Sequence, residues 1–77
     1  MNDIKLEEHL SKLEVSEIKD FRLLPVKEVV SFTDKALEIV PLQGARQYIA
    51  KSIMRVNSKG EIWIKEWKFK QMYGDEA

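Results

Sequence analysis

The sequence has no cysteine and a single histidine, His9. This excludes a disulfide framework, and also a structural zinc site, which draws on several thiolate or imidazole ligands. The three glycines, Gly44, Gly60 and Gly74, stand far apart, so no glycine-rich loop exists to cradle a nucleotide phosphate. No uninterrupted apolar run exceeds three residues, as in Ile62-Trp63-Ile64, against the ~20 that a membrane-spanning helix requires. The stretch from Met1 to Glu8 has neither the basic nor the apolar region of a secretory signal, so the chain reads as intracellular and a cytoplasmic location is expected. On these grounds no cofactor, metal or membrane partner is expected.

Of the 77 residues, 44% are hydrophobic, which marks a chain that folds. The length suits one small domain over 1–77, with helix over about 3–24, strands or mixed structure over 26–73 and a frayed acidic end at 74–77. So short a chain buries a small core, so help from a second copy is an open option. Net charge is zero, yet residues 1–40 carry six basic against nine acidic side chains, and 41–73 carry seven against two. The two halves attract one another within the fold or between copies, and a polarised chain also steers a charged partner.

Asn2 or Asp3 is a candidate helix cap, followed by Leu6, Leu10, Leu13, Phe21 and Leu24 at helical spacing. This predicts one helix, or two broken at Ser16, ending before Pro25. Residues 26–42 fit two readings. A helix would run between Pro25 and Pro41; a hairpin would pair Val29–Phe32 with Ala36–Val40 across a Thr33-Asp34-Lys35 turn. The hairpin is preferred, because the alternations Val30/Phe32 and Leu37/Ile39 would bury side chains that fall off a helical stripe. A second hairpin is expected around Asn57-Ser58-Lys59-Gly60, where Asn and Gly suit a type I turn closed by a left-handed glycine. That turn pairs Val56 with Ile62, Arg55 with Trp63, Met54 with Ile64, Lys51 with Trp67 and Ile49 with Phe69. A register without the bulge competes, pairing Lys51 with Glu66 and Tyr48 with Phe69.

The first register makes both hairpin faces apolar. One carries Tyr48, Ala50, Met54, Val56, Ile62 and Ile64; the other carries Ile49, Ile53, Trp63, Trp67 and Phe69 between Lys51, Arg55 and Lys65. A helical segment of ~22 residues, about 33 Å long, covers one face of a small sheet and not two. The expectation is therefore a small antiparallel sheet under an N-terminal helical segment, binding through Ile49, Lys51, Arg55, Trp63, Lys65, Trp67 and Phe69. The partner is a protein or a second copy. Single-stranded nucleic acid is the alternative, with bases stacked on the aromatics and phosphates held by the cations. A bulge near Lys65-Glu66, or a core made from the aromatic set, would remove the leftover face.

The competing fold is a winged helix-turn-helix, with helices at 26–40 and 45–56 and a wing over Val56–Ile64. In element order alone this layout resembles small phage excisionases and related DNA-bending proteins. That likeness implies DNA binding, with Arg46, Gln47, Lys51 and Arg55 as the polar readers. Catalysis is not expected. His9 sits beside Glu7 and Glu8 as a surface histidine, and Ser11, Ser16, Ser31, Ser52 and Ser58 have no activating neighbour in sequence.

Overall fold

Asn57 and Gly60 shape the sharpest turn. In the computed structural model, which describes residues 5–74, the Gly60 N–H donates to the Asn57 carbonyl at 3.0 Å and the Asn57 N–H to the Glu61 carbonyl at 3.1 Å. The Asn57 side-chain oxygen accepts the N–H groups of Lys59 and Glu61 at 3.0 and 2.9 Å. Gly60 takes φ +80°, a backbone open mainly to glycine. The turn joins β6 (Met54–Val56) to β7 (Ile62–Lys65) in the expected register, Met54 with Ile64, Arg55 with Trp63 and Val56 with Ile62.

Beyond Met54 that register ends. Lys51–Ile53 form a 3₁₀ turn, and Glu66–Tyr73 form a helix, α2, so neither Lys51 with Trp67 nor Ile49 with Phe69 is paired. The competing pairs of Lys51 with Glu66 and Tyr48 with Phe69 are absent for the same reason. Residues Gln47–Ala50 instead make a strand, β5, on β4 (Ala36–Pro41), which pairs with β3 (Val26–Phe32). The hairpin over 26–41 is therefore the preferred reading, with its turn at Thr33–Lys35; the Thr33 hydroxyl accepts the Ala36 N–H at 3.0 Å. One detail differs: Leu37 and Ile39 are buried, whereas Phe32, at the hairpin end, is largely exposed. With strands at 26–41 and 47–50, the helices of a winged helix-turn-helix are not formed.

The N-terminal third departs most from expectation. Instead of helix over 3–24, a single turn α1 (Leu6–His9) gives way to β1 (Ser11–Lys12), a 3₁₀ segment over Val15–Asp20 and β2 (Phe21–Leu23). The expected caps Asn2 and Asp3 lie outside the described residues, as do 75–77 of the expected frayed end. The break comes at Leu10, whose backbone is extended, and Glu14 rather than Ser16 leads the 3₁₀ segment. Short helices are marginal without tertiary support, and here the edge of β6 takes residues 11 and 12 as a parallel strand, Ser11 beside Arg55 and Lys12 beside Val56. Leu10, Phe21 and Leu24 of the proposed stripe are still buried, through extended backbone rather than a helical face.

Two sheets result, one ordered β1-β6-β7-β2 and one β3-β4-β5. The chain passes between them at Leu24-Pro25 and again at the Lys51–Ile53 turn, the kind of bend by which strands change sheets in crossed packings. Met54, Val56, Ile62 and Ile64 from the first sheet meet Leu37, Ile39 and Ile49 from the second, with Leu10 and Leu24 closing the cluster. Helix α2 adds Phe69, Met72 and Tyr73 to its margin, and the Tyr73 hydroxyl donates to the Gln43 carbonyl at 2.6 Å. The molecule is thus α+β, with helix at both ends of a largely antiparallel β core.

Candidate binding surface

Paired residues on neighbouring strands share a face, so the register fixes what the outer side of the four-stranded sheet displays. With Met54, Val56, Ile62 and Ile64 turned inward, the row Arg55–Trp63–Leu23 crosses β6, β7 and β2 on the outside, and Phe21 pairs with Lys65 one step along. Phe21 is only 2% exposed. Its ring carries the Arg55 guanidinium at 4.9 Å from the centroid and the Lys65 ammonium at 5.1 Å, both within cation–π range.

Arg55 is held from both sides. Its Nη1 donates to the Ser52 and Met54 carbonyls at 3.1 and 2.8 Å, while Nε and Nη2 donate to the Glu17 carboxylate at 3.2–3.3 Å. Glu17 comes from the 3₁₀ segment and also accepts the Glu14 N–H at 3.2 Å. The Arg55 hydrogen bonds, reinforced by that of Glu14, keep its carboxyl below the ordinary glutamate range. Around this group the surface is apolar. Leu23 is 38% exposed, Trp63 is half-buried, and Ile18, on the segment packed against β2, is 48% exposed. The Trp63 indole Nε1 is buried and has no hydrogen-bond partner among the described residues.

Of the seven residues expected to form one face, Arg55, Trp63 and Lys65 are brought together. Ile49 is fully buried in the core, because the 3₁₀ turn at 51–53 resets the alternation and turns it inward. Lys51 lies over the exposed Phe32 ring at 5.3 Å, and the His9 ring centroid is 4.1 Å from the centroid of that same Phe32 ring. Trp67 is 56% exposed on α2. Phe69 is drawn away to the Arg22 guanidinium, 4.7 Å from its centroid, and to Tyr73 at 5.0 Å. Of the other expected face Met54, Val56, Ile62 and Ile64 are core, whereas Tyr48 and Ala50, turned outward on β5, are exposed; the aromatic set is divided between sheet and helix. Sequence reasoning missed Glu17, Phe21 and Leu23, since a helical reading of 3–24 gave them no place beside β7. The doublet Leu23-Leu24 before Pro25 was the available signal, one leucine turned outward and one inward.

Leu23 also borders a groove of about 400 Å³ whose walls include Leu6, Pro25, Val26, Val29 and Leu42. Past Pro25 and Leu42 a second hollow of about 340 Å³ reaches Phe69 and Tyr73. Among the described residues no group of three His, Cys, Asp or Glu side chains is placed to hold a metal ion, and no helix is long and apolar enough to cross a membrane. No protein-family model matches the sequence, and neither a curated protein nor a solved structure matches it.

Proposed function

We propose that this chain is a small non-catalytic binding module of the cytoplasm that docks protein, a different chain or a second copy, on the outer face of its four-stranded sheet. The observation that supports it is the row Leu23–Trp63–Arg55, apolar and cationic together, with Ile18 exposed alongside. Aromatic and arginine side chains ringed by apolar surface are the usual anchors of protein contacts. Single-stranded nucleic acid is less well served. Phe21 is sealed beneath its cations, and Lys51 and Phe69 lie elsewhere.

The test pairs light scattering over a concentration series with affinity capture from a cell extract, for the parent and a Leu23→Asp variant of matched circular dichroism. Self-association, or a captured protein, that the parent shows and Leu23→Asp loses is the expected result. A parent that stays monomeric and retains nothing that Leu23→Asp does not also retain would overturn the proposal.

A further inference from the structure

Arg55 does not depend on Glu17 for its position. Two backbone carbonyls, of Ser52 and Met54, fix its Nη1 edge, and the buried Phe21 ring supports its plane. The opposite edge, Nε with Nη2, is left as a preformed fork of the kind that receives a carboxylate through two parallel bonds. Lys65 adds a second cation over the same ring, and a lowered Glu17 carboxyl is consistent with the field of both.

The carboxylate that fills this fork arrives on a weakly anchored segment. Val15–Asp20 is a six-residue 3₁₀ stretch, longer than such helices usually run, and it contains no buried residue. Its Val15 is 86% exposed and its Ile18 48%, so its own apolar side chains contribute little to holding it down. Segments with few buried contacts open at low free energy.

We propose that Glu17 is an intramolecular occupant of a carboxylate site formed by Arg55 and Lys65, and that an acidic side chain of a docking protein takes its place. This rests on the docking reading above and names the partner's chemistry: a glutamate or aspartate flanked by apolar residues, the charge entering the fork and the flanks meeting Leu23, Trp63 and the freed underside of the 3₁₀ segment. Because the site is filled in cis, a ligand in trans sees an affinity reduced by the fraction of molecules that are open.

The probe is an acetylated, amidated pentapeptide with leucine on each side of one central glutamate, its glutamine counterpart the control. Binding is read at the indole N–H resonance of Trp63, the residue paired with Arg55, which every variant retains. Glu17→Gln is expected to bind the glutamate peptide at least ~10-fold more tightly than the parent, the gain corresponding to removal of a closed state. Glu17→Asp, one methylene shorter and still charged, is expected to fall between them and keeps the test in force if Glu17→Gln does not fold. Adding Arg55→Gln should abolish the gain. Equal affinity in parent and both Glu17 variants, equal binding of the glutamine peptide, or a response to inorganic phosphate alone at matched ionic strength would each overturn the proposal. Should it fall while Leu23→Asp still loses a partner, the docking face stands and only the identity of its ligand is wrong.

Discussion

Trp63 lies at the centre of the outer row and carries a polar atom that no described residue satisfies. A buried donor without an acceptor forfeits its hydration, at a cost of about 1–3 kcal/mol. Phenylalanine would keep most of the ring and omit the N–H, while giving up ~1 kcal/mol of apolar contact. The two effects oppose each other, so Trp63→Phe is expected to lie within about 1 kcal/mol of the parent in urea unfolding. Trp63→Ala, which removes the ring altogether, should cost about 3 kcal/mol. A Trp63→Phe penalty as large as that of Trp63→Ala would mean that the indole N–H has an acceptor after all. Tyr73 offers the contrast: its hydroxyl has the Gln43 carbonyl at 2.6 Å, and burial raises its pKa above the ordinary 10.0.

At the scale of elements, the β6–β7 turn is where backbone and sequence agree most closely. A Cβ built on Gly60 meets nothing within 4 Å, so substitution there reports backbone conformation without a steric contribution. Gly60→Ala should therefore cost about 1–2 kcal/mol, the penalty of a left-handed backbone for an L side chain, and Gly60→Asn less. An unchanged urea midpoint for Gly60→Ala would show that the hairpin does not need φ +80°. The same local chemistry explains why this turn and the β3–β4 hairpin were legible from sequence. Asn57, Gly60 and Thr33 act through bonds to neighbours only a few residues away. Other features are settled by distant chain. The pairing of Ser11 with Arg55 is decided by an unfilled edge of β6, which no periodicity within residues 3–24 encodes. Likewise the aromatic face failed as a unit at Lys51–Ile53, where a three-residue turn carries β5 into the other sheet and Ile49 into the core. Arg55, Trp63 and Lys65 were found because they lie within reach of the Asn57–Gly60 turn.

Over the whole molecule, each sheet has one carboxylate that fastens its outer side. Glu17 ties the 3₁₀ segment to β6 through Arg55. Glu38, on β4, accepts the Ser31 hydroxyl of β3 at 2.7 Å and the Arg46 guanidinium at 3.2 Å. Both carboxyls are held below the ordinary 4.5, Glu17 chiefly by Arg55 and Glu38 chiefly by Ser31. A carboxyl whose pKa is depressed by folding stabilises the native state fully above its unfolded value. That contribution is lost as pH falls through the folded values. The thermal midpoint should therefore be level on the acid side of neutrality down to about pH 5.5, then fall below about pH 4.5, where the first protons bind preferentially to the unfolded chain. Both groups are half-buried and keep some contact with solvent, so added salt should shrink the fall in part. A Glu17→Gln, Glu38→Gln double variant is expected to start lower at pH 7 and to lose less on acidification, so the two curves draw together as pH falls through the folded values. Circular dichroism melts from pH 7 to 3 check this. If parent and double variant fall in parallel, the acid sensitivity lies in other carboxylates, and these two do not fasten the sheets.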